Sequence, residues 1–241
     1  MPDSFTSDVP RSDVPATQPV HAVPALPARG ALALGLVLLI AVVAAGVHLR
    51  SAAGASGLQP LDDRWLRLMG EPRAGALQNL ANSLDVLGGP LGMMVPLAFA
   101  GCLCVYGRWR SGLFVFTVAV VASAVVASLL KAVADRPRPP HPSVLVNDGS
   151  FPSGQVLAAV AFVIAVAVVA FGPRVRPWWW AFSALYVGAM AWSRTWLHAQ
   201  WLTDALGGVL AGAGVALILW CAFAPLLRRE AIRMAADRLW D

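Results

Sequence analysis

Apolar and polar positions alternate along the chain in long blocks, and six of the blocks are apolar. They cover residues 30–49, 86–106, 111–134, 152–171, 177–192 and 203–225. Most are close to the ~20 residues that cross about 30 Å of hydrocarbon as a helix. The run at 177–192 is short, but its Trp178-Trp179-Trp180 cluster suits an interfacial belt. The pattern predicts an all-α, polytopic membrane protein with six transmembrane helices. A cleaved signal peptide competes for the first run. The segment before it is too long and too poor in arginine for a typical n-region.

The polar blocks divide the chain. Residues 1–29 hold six prolines and no apolar period, which predicts a disordered cytoplasmic tail. Residues 30–225 form the membrane domain, and 226–241 a basic cytoplasmic tail. Within 50–85, Leu61, Trp65, Leu66 and Leu68 alternate with Asp62, Asp63, Arg64 and Arg67 at nearly helical period. Leu77, Leu80, Leu84 and Leu87 repeat the pattern. These read as short amphipathic outer helices at the membrane surface, with plain loop as the alternative.

Arginine sets the orientation. Arg108 and Arg110, Arg174 and Arg176, and Arg228, Arg229, Arg233 and Arg238 fall in three regions on one side of a six-helix path. The positive-inside rule makes that side, with both termini, cytoplasmic. Residues 50–85, 135–151 and 193–202 then face the periplasm or exterior of a cell inner (plasma) membrane.

Composition agrees: 58% of residues are hydrophobic and 13% charged, against about 25% charged in globular proteins. The net charge of +5 is accounted for by topology, so nucleic acid is not an expected partner. Cys102, Cys104 and Cys221 lie inside apolar runs and read as small hydrophobes. No G-x-x-x-x-G-K loop supports ATP-driven work. No paired carboxylates have metal-ligand spacing, so neither metal nor other cofactor is expected.

The candidate chemistry lies between the third and fourth runs. Lys131 is the one lysine beside seventeen arginines. A compact ammonium suits tasks that the flat guanidinium does not. Arg138 follows in a proline-rich loop, and Pro152-Ser153-Gly154 opens the next run. Free N–H groups and the dipole at such a helix start favour an anion. Ser193 and Arg194 lie between the fifth and sixth runs, with Asp204 just beyond. Only Asp135, Asp148 and Asp204 are near in sequence to offset the cations. Taken singly, an arginine at a membrane edge is an anchor and a Ser-Gly at a helix start is a cap.

Three blocks are in order: Lys131-AVADRP-Arg138-Pro139, Pro152-Ser153-Gly154-Gln155, and Ser193-Arg194-TWLHA-Gln200-WLT-Asp204. Together they resemble the K-x6-R-P, P-S-G-H and S-R-x5-H-x3-D blocks of the type 2 phosphatidic acid phosphatase (PAP2) superfamily, in its bacterial six-helix membrane branch. The resemblance runs from about Leu61 to Pro225. It implies that Lys131, Arg138 and Arg194 hold phosphate oxygens, with Ser153, Gly154 and Ser193 completing the cradle. It implies that Asp204 orients the nucleophile one turn before it. The ligand would be a lipid phosphate: phosphatidate, phosphatidylglycerol phosphate or polyprenyl (di)phosphate. The family's reaction needs no metal.

The sequence departs from the blocks at two positions. Gln155 stands at the acid position and Gln200 at the nucleophile position. A neutral amide has no useful proton to give near pH 7, and its nitrogen is a very poor nucleophile. Its NH₂ can still donate to a phosphate oxygen. His198, two residues before Gln200, would lie about 200° around a helix from it, while in an irregular loop its direction is free. His141 lies in the proline-rich loop. Three readings follow: a phosphate-binding, weak or inactive relative; an active phosphatase with another nucleophile; and a transporter or scaffold with no phosphate role.

Overall fold

The computed structural model describes residues 30–51, 57–71, 74–146, 149–172 and 175–237. The expected tail at 1–29, with His21, lies outside the described residues, as do Asp148, Arg174 and Arg238. The described residues are helical and contain no strand. In chain order the helices are α1 (Ala31–Ser51), α2 (Gln59–Met69), α3 (Ala76–Gly88), α4 (Met94–Val105), α5 (Trp109–Val120), α6 (Ala127–Ala134), α7 (Gly154–Ala170), α8 (Arg176–Trp196) and α9 (Leu202–Asp237). A 3₁₀ turn, Pro90–Met93, leads into α4, and a π turn, Val121–Val126, joins α5 to α6.

Three helices are long and apolar enough to span a membrane: Ala31–Ser51, Trp109–Ala134 and Leu202–Asp237. A fourth is added if the bent pair Ala76–Gly88 and Pro90–Val105 counts as one span. α7 is apolar but only 17 residues long, roughly 25 Å at 1.5 Å per residue. α7 is also the centre of the bundle. Eleven of its residues are buried, Val156, Leu157 and Ala161 among them. Such all-round burial belongs to a core helix. α1 instead exposes Leu34, Val37, Ile40 and Val47, as a lipid-facing helix would.

α7 packs most closely on α9. A Cβ at Gly208 would come within 2.7 Å of the Ser153 carbonyl oxygen, and one at Gly212 within 2.5 Å of that of Leu157. Glycine lets two membrane helices approach backbone to backbone.

Three element boundaries differ from the sequence pattern. The apolar run at 86–106 is broken: Gly88-Gly89-Pro90 ends α3, and the next segment sets off at 53° to it. α8 runs to Trp196, so Ser193 and Arg194 sit on its last turns and not in a loop. α9 continues past Pro225 to Asp237, through most of the segment read as a tail. What anchors its far end is Glu230, which is buried and accepts from the Arg110 amide (2.8 Å) and from the Ser111 amide and hydroxyl. The carboxylate thereby caps the first turn of α5, where four N–H groups lack helical partners. The two amphipathic segments expected within 50–85 are helical, as α2 and α3.

The polar ends of the helices sort into two groups. At one end Arg108 donates to the Val169 carbonyl (2.6 Å) and lies 3.7 Å from Glu230. At the other, α2, α3 and residues 135–153 and 197–204 meet. Trp196 donates to Gln78 (3.1 Å), and Thr203 bonds Asp62 through both N–H (2.9 Å) and Oγ1 (2.6 Å).

Candidate active site

At this second end lies a cavity of about 920 Å³. Its polar wall holds Lys131, Arg138, Gly154, Gln155, Arg194 and Gln200, together with Asp85. Its apolar wall descends between α4, α7 and α8 through Val95, Phe162, Phe182 and Tyr186. The segments carrying the three sequence blocks therefore converge on one space.

Each cation is placed by a different element. Lys131 sits on α6, which ends when Asp135 turns into the left-handed region (φ 43°) and returns its N–H to the Lys131 carbonyl (2.9 Å). Among the described residues, the Lys131 ammonium has no hydrogen-bond partner. It lies within electrostatic reach of Arg138, Arg194 and Asp204. Arg138 is held in the loop by donation to the Ala199 (2.6 Å) and Gly149 (2.9 Å) carbonyls. Arg194 is buried and ion-paired with Asp85, while its Nε has no partner.

The helix start at α7 behaves as a cap first. Ser153 is fully buried; its Oγ accepts from the Val156 amide (3.4 Å), and its own N–H donates to the Asp204 carbonyl (2.8 Å). Gly154, not Ser153, reaches the cavity wall. Ser193 is also buried and donates to the Met190 carbonyl (2.9 Å), as a helical serine folded back on its own turn.

Both glutamines line the cavity, with their NH₂ groups already committed. Gln155 donates to the Asp85 carboxylate (3.0 Å) and Gln200 to the Ser150 carbonyl (3.3 Å). Both Oε1 atoms are buried without a partner. Sequence reasoning offered those NH₂ groups to a phosphate; here they are spent on protein acceptors.

Asp204 departs from its expected position as well. Its carboxylate accepts from Arg136 (2.7 Å) and from the Trp201 amide (2.8 Å), and it makes no hydrogen bond to Gln200. It does not line the cavity. Arg136 is 4% exposed and also bonds Asp62 (2.7 Å), Thr203 Oγ1 (2.7 Å) and Gln59 (3.1 Å), with its guanidinium over the Trp201 ring. Sequence reasoning missed Arg136, Asp62 and Asp85. The first lies inside the K-x6-R-P spacing and the other two in segments read as surface helices. Only the shared preference of buried charges for partners could have hinted at them.

Neither spare histidine reaches the site. His198 stands in the left-handed region (φ 52°) with Nε2 2.9 Å from the Gly70 carbonyl oxygen. His141 is exposed, and neither lines the cavity. Among the described residues no group of three or more His, Cys, Asp or Glu side chains is placed to hold a metal.

Comparison with known proteins now bears on this geometry. The family model described as the PAP2 superfamily matches residues 112–228, which contain all three blocks. Over that region, just under half of its length, the chain is similar to the PAP2 superfamily. Its fold is similar to that in the "Crystal structure of the first transmembrane PAP2 type phosphatidylglycerolphosphate phosphatase from Bacillus subtilis", with a TM-score of 0.63 and 21% sequence identity. The match covers 78% of this chain and 93% of that one. No curated protein sequence matches it. Its long apolar helices and its likeness to a transmembrane structure give the chain the character of a membrane protein.

Proposed function

We propose that this PAP2-like protein binds the phosphate head of a membrane lipid in the 920 Å³ cavity and turns it over weakly or not at all. One observation carries the reading: Lys131, Arg138 and Arg194, from three separate elements, line one cavity whose other wall is apolar. Phosphate oxygens need converging charge-assisted donors, and an acyl or prenyl chain needs an apolar channel. The apolar wall between α4 and α8 offers that channel. Candidate ligands are phosphatidate, polyprenyl phosphate or diphosphate, and phosphatidylglycerol phosphate, the last suggested by the likeness to a phosphatidylglycerolphosphate phosphatase.

The case for weak turnover rests on Gln155 and Gln200. General acid–base catalysis contributes about 10²–10⁴-fold, and an amide supplies none of it near pH 7. The covalent route is lost with the nucleophile. An alternative nucleophile at His198 is disfavoured by its bond to Gly70 and its position away from the cavity.

We further propose six spans, with the cavity facing the periplasm or exterior and both chain ends cytoplasmic. The grouping of Arg108 and Glu230 at the end opposite the cavity supports this sidedness. Cysteine labelling of Gly57 against Arg229 variants in sealed cells tests it, since opposite accessibility is required.

The functional test is phosphate release from the three lipid classes in detergent, comparing the chain with Gln155→His/Gln200→His. The double variant should gain about 10²-fold or more. Equal turnover by both proteins would reject the inactivity. No phosphate or vanadate binding by the chain, with no loss on changing Lys131 or Arg138, would favour a transporter or scaffold.

A further inference from the structure

The cavity holds one acid among its cations. Asp85, at the end of α3, shares the wall with Lys131, Arg138 and Arg194. Its Oδ1 receives both Arg194 and the Gln155 amide. Its Oδ2 has no partner among the described residues, and the side chain is 24% exposed. α3 comes close to this point: a Cβ on Gly88 would lie 2.8 Å from the Gln155 Cδ, so a larger residue there would push the amide aside.

One compartment thus presents an uncommitted ammonium at Lys131 and an uncommitted carboxylate oxygen at Asp85. A bare phosphate satisfies the first and is repelled by the second. A head group with a hydrogen-bond donor beside its phosphate satisfies both.

We infer that Asp85 determines which phosphorylated head group the cavity accepts: one carrying a hydroxyl or ammonium donor next to the phosphate, in preference to one with none. The inference rests on the phosphate reading above. The donor takes Asp85 Oδ2 in a charge-assisted hydrogen bond. A donor-free head leaves two anions facing each other in a partly dehydrated space, which is discrimination by repulsion as well as attraction. Asp85 is a specificity-determining residue here and not a catalytic one.

The test is isothermal titration of the purified full chain in detergent with three soluble monoesters. Methyl phosphate has no donor, glycerol 3-phosphate has hydroxyls, and phosphoethanolamine has an ammonium. The two donor-bearing probes should bind about tenfold more tightly than methyl phosphate, as expected for a hydrogen bond to a charged group. The tighter of the two identifies the donor. In Asp85→Asn the methyl phosphate affinity should rise and the gap should close, while Asp85→Glu should keep the preference. Asp85→Ser serves the same purpose if Asp85→Asn does not fold. An unchanged order of affinities in Asp85→Asn overturns the inference. So does weakening of all three probes, which would make Asp85 only a prop for Arg194. Lys131→Met separates the two layers. If it binds all three probes as the original chain does, the phosphate reading fails and the inference with it. If it loses them while Asp85→Asn leaves their order intact, only the inference fails.

Discussion

Arg136 and Arg194 sit at the same end of the molecule, both almost wholly buried, yet their surroundings differ. Arg136 is saturated: two carboxylates, a hydroxyl, an amide oxygen and an aromatic face surround it, and none of it lines the cavity. Arg194 has a single carboxylate and an unpartnered Nε, and it shares the cavity lining with two glutamines whose oxygens have no donor. Buried polar atoms in native proteins are nearly all paired, so unpaired ones call for an explanation. The difference separates a cluster that holds elements together from one left with unpaired groups, as the proposed phosphate site requires. Arg136 ties α2, the 135–153 loop and α9 into one unit, and beside that unit the cavity cluster can remain incomplete.

The comparison yields a graded set of expectations for unfolding in detergent. Arg136→Met should cost most, about 3–5 kcal/mol, because it leaves Asp62 and Asp204 buried without their cation. A loss below roughly 1 kcal/mol would mean that the cluster is no tighter than a surface pair. At the far end, Glu230→Gln should cost about 1–3 kcal/mol, since the α5 cap loses its charge and one oxygen becomes a donor facing donors. Removing the α7 cap in Ser153→Ala should cost about 1 kcal/mol. Lys131→Met should change stability least, within about 0.5 kcal/mol, while abolishing phosphate binding measured by titration. If Lys131→Met destabilises the fold as much as Arg136→Met, the division between the two clusters is wrong.

The sequence revealed much of this fold because its information is local. Apolar runs long enough to form buried or lipid-facing helices are visible in any window. Breaks at Pro137, Pro139 and Pro152 are equally plain, and the spacing of Lys131 and Arg138 brought both to the same cavity. What stayed hidden depends on distant pairing. Asp62 and Arg136 are 74 residues apart, and Asp85 and Arg194 are 109 apart; no periodicity reports such a meeting. Asp204 was legible as an acid at a helix start, but its partner was not, because Arg136 and Arg138 look alike in a proline-rich stretch. The run of α9 through Pro225 was hidden for the same reason: the helix is held from outside, by Glu230 reaching α5.

The backbone-to-backbone seam between α7 and α9 also constrains motion. With the Ser153 N–H bonded to the Asp204 carbonyl and two glycines letting the backbones touch below it, α7 and α9 are locked together on that side of the chamber. If the cavity takes a bulky lipid as proposed, the room for it must come from the opposite side, where α3 and the segment leading into α4 meet at the Gly88-Gly89 bend.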